Sequence, residues 1–100
     1  MPIESEWWSF TPNLVEMERD EPGVYELGNP GKNVVFIGSG RQVRNLLLRH
    51  LDEPAGSCIR RLAARYRIEY TPDFKKREEE LFQEHVRLHG KLPRCSERRQ

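Results

Sequence analysis

Residues 34–40 read Val34-Val35-Phe36-Ile37-Gly38-Ser39-Gly40, and residues 22–27 read Pro22-Gly23-Val24-Tyr25-Glu26-Leu27. Both runs are short, apolar and rich in residues that fit a pleated, half-buried surface. Between them, Gly28-Asn29-Pro30-Gly31-Lys32-Asn33 is dense in turn formers. Val24 to Leu27 and Val34 to Ile37 therefore predict the two strands of a β-hairpin. This hairpin decides the fold, because everything after it changes period and must pack against it.

From Arg41 the apolar residues Val43, Leu46, Leu47 and Leu51 recur at helical spacing. Asp52-Glu53-Pro54-Ala55-Gly56 ends that helix, and Ser57 caps a second short one reaching about Arg65. Tyr66 to Tyr70 alternates and predicts a third strand. Thr71-Pro72-Asp73 has the chemistry of a helix start: a hydroxyl cap, proline at the first helical position and an acid in the first turn. The last helix carries Phe74, Leu81, Phe82, His85, Leu88 and His89 on one broad face. Gly90 suits a left-handed C-cap, and Pro93 follows it. The expected class is α/β, more specifically α+β: a small three-stranded antiparallel sheet flanked by helices, in the order β-β-α-α-β-α. Residues 1–21 form a lead-in packed on the domain, residues 22–97 form the domain, and residues 98–100 form a frayed tail. Within the lead-in, Trp7, Trp8 and Phe10 are aromatic, with Trp7-Trp8 expected over one face of the sheet. The acidic stretch Leu14 to Glu21 is expected to hold one short helix from the Pro12-Asn13 signal.

A chain of 100 residues supports one domain with a modest core. No apolar run approaches the roughly 20 residues of a membrane span. The start is acidic and lacks a signal-peptide core, so a soluble, cytoplasmic protein is expected. Two cysteines, Cys58 and Cys95, are too few for a disulfide framework, and free buried thiols are expected. The net charge is only +1, but its sign is segregated: acids dominate residues 1–22 and bases dominate the rest. Arg41, Arg44, Arg49, Arg60, Arg61, Arg65 and Arg67 crowd one segment that contains no lysine. Guanidinium groups suit bidentate phosphate contacts, which points to a phosphate-rich partner. Gly38-Ser39-Gly40 ahead of a helix is a further place for a phosphate, although it lacks the Lys-Ser/Thr of a P-loop. His85 and His89 share a helix face, but no zinc-finger spacing accompanies them, and they are read as core-edge histidines.

The hairpin and the elements after it resemble the GIY-YIG nuclease family. Gly23-Val24-Tyr25 is similar to the first half of the family's motif, and Phe36-Ile37-Gly38 to the second half, with Phe for Tyr. Val43, Arg44, Leu47, His50 and Leu51 are similar to its first helix. Glu79 to Glu84, then Leu92-Pro93-Arg94-Cys95-Ser96, resemble the helix and tail that carry its metal-binding Glu and terminal Asn. The resemblance spans residues 22–97. It implies hydrolysis of a phosphodiester bond with Mg²⁺, or Mn²⁺ in its place, held by Glu84.

The implied site residues are Tyr25, Phe36, Arg44, Arg49, His50, Glu84 and Ser96. The implied nucleic-acid contacts are Ser39, Arg41, Arg44, Arg49, Arg60 and Arg61. Three positions depart from the family pattern: Phe36 has no phenolic oxygen, Leu46 stands where an arginine is expected, and Ser96 replaces the asparagine. Two functions stay open: a metal-dependent DNA endonuclease, and a DNA-binding or adaptor module on the same fold that has lost catalysis. DNA is the expected partner and a membrane is not, with specificity supplied by a homodimer or a partner protein.

Overall fold

The computed structural model describes residues 3–96. Met1, Pro2, the last residue of the domain expected at 22–97 and the tail expected at 98–100 lie outside them. Strand β1 is Trp8–Ser9, helix α1 Pro12–Val15, β2 Gly23–Gly28, β3 Val34–Gly40, α2 Val43–Leu51, α3 Cys58–Leu62, β4 Arg65–Tyr70 and α4 Phe74–His89. A 3₁₀ turn follows at Arg94–Ser96. The sheet is antiparallel, in the order β1-β4-β2-β3.

The hairpin forms as the sequence predicts. Tyr25 stands opposite Gly38, and Leu27 opposite Phe36. Asn29 closes the turn: its side-chain oxygen accepts from the Asn33 N–H at 2.9 Å, and its carbonyl from the Lys32 N–H at 2.8 Å. On the other side of β2, Tyr25 faces Ile68 and Leu27 faces Tyr66 on β4. Alternation along the strands then divides the core in two. Tyr25, Leu27, Tyr66 and Ile68 pack with Val15, Val43, Leu47 and Ile59 under α1, α2 and α3. Val24 and Ile37 pack with Ile3, Leu81 and Phe82 under α4. Glu26 points to the α4 side and is buried, held by Arg67 Nε at 2.7 Å. The Arg67 guanidinium in turn lies 4.3 Å from the centre of the Trp7 ring. Trp7 thus covers one face of the sheet, while Trp8 is half exposed.

Several expectations need correction. The sheet has four strands rather than three, because Trp8 and Ser9 pair with Tyr66 and Arg65; two residues are too few to register as alternation. Gly38-Ser39-Gly40 is the end of β3, not a loop. The short N-terminal helix starts at the Pro12-Asn13 signal, capped by Thr11, but ends at Val15 rather than running on toward Glu21. Helix α4 starts at Phe74 with Asp73 as cap, while Thr71 Oγ1 accepts from the Asp73 N–H at 3.1 Å instead of capping the helix. Leu88 is 63% exposed: it lies two helical turns beyond Leu81, where the apolar stripe has outrun the buried cluster. Gly90 does take the left-handed cap, at φ 78°.

Cys58 and Cys95 are not free thiols but a disulfide, with Cα atoms 5.5 Å apart. The first turn of α3 and the C-terminal 3₁₀ turn meet beside β3, a proximity that a separation of 37 residues conceals.

Candidate active site

Tyr25 sits in the middle of β2, buried to 3% exposure. Its phenol lies across Gly38 of the edge strand: a Cβ added there would stand 2.5 Å from the Tyr25 oxygen. The glycine of Phe36-Ile37-Gly38 is what lets a tyrosine ring cross the neighbouring strand to its edge. There Tyr25 Oη meets His50 Nε2 at 2.7 Å. His50 comes from the last turn of α2, and its Nδ1 lies 2.6 Å from Glu53 Oε2. A carboxylate only accepts, so Nδ1 carries the proton, and in the neutral ring Nε2 then accepts from the tyrosine hydroxyl. Phe36 packs edge-on against His50, with ring centres 4.9 Å apart, and its centre also lies 6.1 Å from that of the Tyr25 ring, so the three rings pack against one another. Burial, then the charges of Glu78 and Glu53, push the Tyr25 phenol well above its ordinary value. The group therefore stays protonated at neutral pH.

Glu78 of α4 reaches the same edge. Its carboxylate accepts from Ser39 Oγ at 2.7 Å. Glu84, the carboxylate that the family resemblance implies for a metal, lies six residues further along α4, 3.6 Å from Arg87. Its charge raises the affinity of buried Glu26 for a proton, after the larger effect of desolvation. Glu26 points away from Tyr25, so Glu78 rather than Glu84 is the helix carboxylate whose field reaches the phenol.

The arginines are dispersed. Arg41 and Arg49 are exposed and line a cleft of about 220 Å³ with Ser39 and Leu46. Leu46 covers Gly40, where an added Cβ would lie 2.5 Å from its Cδ1. Arg44 Nη1 donates to the Glu18 carbonyl at 3.4 Å. Arg60 is exposed on α3, and Arg61 Nε donates to the Gly56 carbonyl at 3.1 Å. The amide end of α2 already has an internal anion, since Asp20 accepts from the Asn45 N–H at 3.0 Å. Glu18 accepts from the Tyr66 and Tyr70 hydroxyls at 2.7 and 2.9 Å. Burial and that bond push Tyr70 up to about 12. Ser96 is 2% exposed, and its hydroxyl has no hydrogen-bond partner among the described residues.

Sequence reasoning missed Glu53 and Glu78. Glu53 lies in the Asp52-to-Gly56 run that ends the helix, and its i+3 spacing from His50 is the signal that marks it. Glu78 opens a run of three glutamates, and nothing local separates it from its neighbours.

Among the described residues, no three His, Cys, Asp or Glu side chains converge on one point. A hard cation such as Mg²⁺ is commonly held by one or two carboxylates, with water and substrate phosphate completing its shell. The Glu78 carboxylate and Ser39 hydroxyl supply oxygen donors of that kind. The His85 and His89 rings are tilted against each other with centres 4.4 Å apart, and both cysteines are committed to the disulfide.

The architecture is that of the GIY-YIG fold. The N-terminal GIY-YIG endonuclease domain of UvrC from Thermotoga maritima, solved as a point mutant bound to its catalytic divalent cation, superposes with a TM-score of 0.60. That match has 19% identity and covers 83% of this chain and 90% of that one. A second point mutant of the same domain also matches at 0.60, with 20% identity over 83% and 91% of the two chains. Within that fold class, the chain belongs to the family described as a domain of unknown function (DUF7508), whose model matches residues 1–87. No curated protein matches it. No helix among the described residues is long and apolar enough to cross a membrane.

Proposed function

We propose that the chain is a divalent-metal-dependent phosphodiesterase acting on DNA, with Tyr25, His50 and Glu53 as its proton relay. The observation that carries this reading is the 2.7 Å contact between Tyr25 Oη and His50 Nε2, backed by Glu53 on Nδ1. A phenol held protonated by burial is a poor base alone, but it can relay. As water attacks phosphorus, its proton passes to Tyr25 Oη while the tyrosine proton passes to His50 Nε2. Glu53 keeps the imidazole in the accepting tautomer and stabilises the imidazolium. Arg41 and Arg49 hold the phosphate oxygens at the mouth of their cleft. A cation held by Glu78, or by Glu84 from the same helix, would polarise the phosphate and stabilise the leaving oxygen. The divalent cation in the UvrC domains supports that cofactor class.

A second reading is a DNA-binding or adaptor module without catalysis. Phe36 and Leu46 favour it, because neither can supply a proton or a positive charge to the site.

Supercoiled plasmid and branched DNA, with Mg²⁺ or Mn²⁺, separate the two. Nicking should require metal and should vanish in Tyr25→Phe and His50→Gln. Loss in Glu78→Gln with retention in Glu84→Gln would assign the metal carboxylate to Glu78, and the reverse to Glu84. DNA binding by gel shift without any nicking overturns the enzyme in favour of the binding module. Neither binding nor nicking overturns both.

A further inference from the structure

The hairpin turn, the end of α4 and the segment after it enclose a cleft of about 340 Å³ on the side of the molecule that also presents β3. Lys32, His85, His89, Lys91 and Arg94 line it, and no Asp or Glu does. Among the described residues, Lys32, Lys91 and Arg94 are exposed and make no ion pair with a carboxylate. In a chain whose formal charge is only +1, three unneutralised cations around one concavity make a local anion site.

The backbone gives a second, independent sign. Lys32 has φ 68°, the one positive value outside glycine among the described residues. Glycine or asparagine takes that region at little cost and lysine does not. Such strain persists where a side chain is needed for what it does. Here it belongs to Lys32, in the turn that lines the cleft. His85 Nδ1 is fixed by donating to the Lys91 carbonyl at 3.0 Å, and the centre of the tilted His89 ring lies 4.4 Å from its own.

Placement supplies the ligand. Edge strand β3 begins at this cleft with Val34 and ends at the Arg41–Arg49 cleft with Gly40. Seven residues of strand span roughly 20 Å. Over that length, one strand of duplex DNA presents about six phosphates. Tyr25 Oη lies over Gly38, between Val34 and Gly40 along that strand.

We propose that the cleft of Lys32, His89, Lys91 and Arg94 binds the phosphodiester backbone of the same DNA that passes Tyr25, away from the bond under attack. The inference rests on the nucleic-acid reading above, and its test keeps the two failures apart.

Binding of a labelled duplex of about 20 base pairs is followed by anisotropy across a salt series, with melting temperatures measured beside it. Lys32→Asn should weaken binding several-fold and flatten the slope of log K on log[salt] by roughly 0.9, one phosphate contact. Because asparagine accepts the left-handed conformation, its melting temperature should be unchanged or higher. Lys91→Gln with Arg94→Gln should flatten the slope further. Lys75→Gln, which loses one charge as Lys32→Asn does but at the other end of α4, should not flatten it. Wild-type binding with all four substitutions behaving alike overturns the cleft and leaves the DNA reading standing. No wild-type binding at low salt overturns both. Saturation of the cleft by inorganic tripolyphosphate, seen in the Lys32 and His89 amide shifts, without displacement of DNA makes it a free-anion site and also overturns the proposal.

Discussion

Tyr25 Oη and His50 Nε2 stand 2.7 Å apart, although one lies in the first hairpin strand and the other at the end of the helix after the second. That bond joins the sheet to α2 and, through Glu53, to the loop beyond it.

Tyr25→Phe removes one oxygen and leaves the ring. His50 Nε2 then loses its partner in a half-buried place, so stability should drop by about 1 kcal/mol in urea denaturation. Any metal-dependent nicking should fall by ~10²-fold or more. Equal nicking in the mutant would remove Tyr25 from the chemistry.

Gly38→Ala places a methyl group where the Tyr25 phenol now lies. The ring cannot yield without leaving His50, so a loss of about 1–3 kcal/mol is expected. The His50 ring resonances should shift in the same protein. An alanine tolerated without either change would mean that Tyr25 does not cross the strand.

Reduction of Cys58–Cys95 opens a loop that spans α3, β4 and α4. Chain-entropy arguments put its closure at roughly 3–4 kcal/mol for about 38 residues. Melting with and without reductant, checked against a Cys58→Ser, Cys95→Ser double mutant, measures it. Two titratable thiols in the non-reduced protein would refute the bridge.

His85 sets an acid limb. Burial, then the charges of His89 and Lys91, hold it below its ordinary 6.5. Between the lowered value and 6.5 the unfolded chain binds more protons than the folded one. Stability must therefore fall as pH drops through that window. Urea titrations at about pH 7.5 and about pH 5.5 should show the fall in the wild type and a smaller one in His85→Gln.

Much of this protein was legible one residue at a time. The turn chemistry of Gly28 to Asn33, the 3.6-residue spacing of Val43 and Leu47, and Gly90 as a left-handed cap are local signals, and each formed the element expected. The resemblance of Gly23-Val24-Tyr25 and Phe36-Ile37-Gly38 to one nuclease family followed from the same local runs, and the fold agrees with it. What the chain alone could not decide depends on approach in space. Which of Glu78, Glu79, Glu80 and Glu84 faces Tyr25 turns on how α4 crosses the sheet. Whether Cys58 meets Cys95 turns on where the C-terminal turn docks. That Lys32, Lys91 and Arg94 share one cleft required the hairpin and α4 to be brought together. Periodicity fixes which face a residue occupies, but only packing fixes its neighbours across the core, and the chemistry proposed here is made of those neighbours.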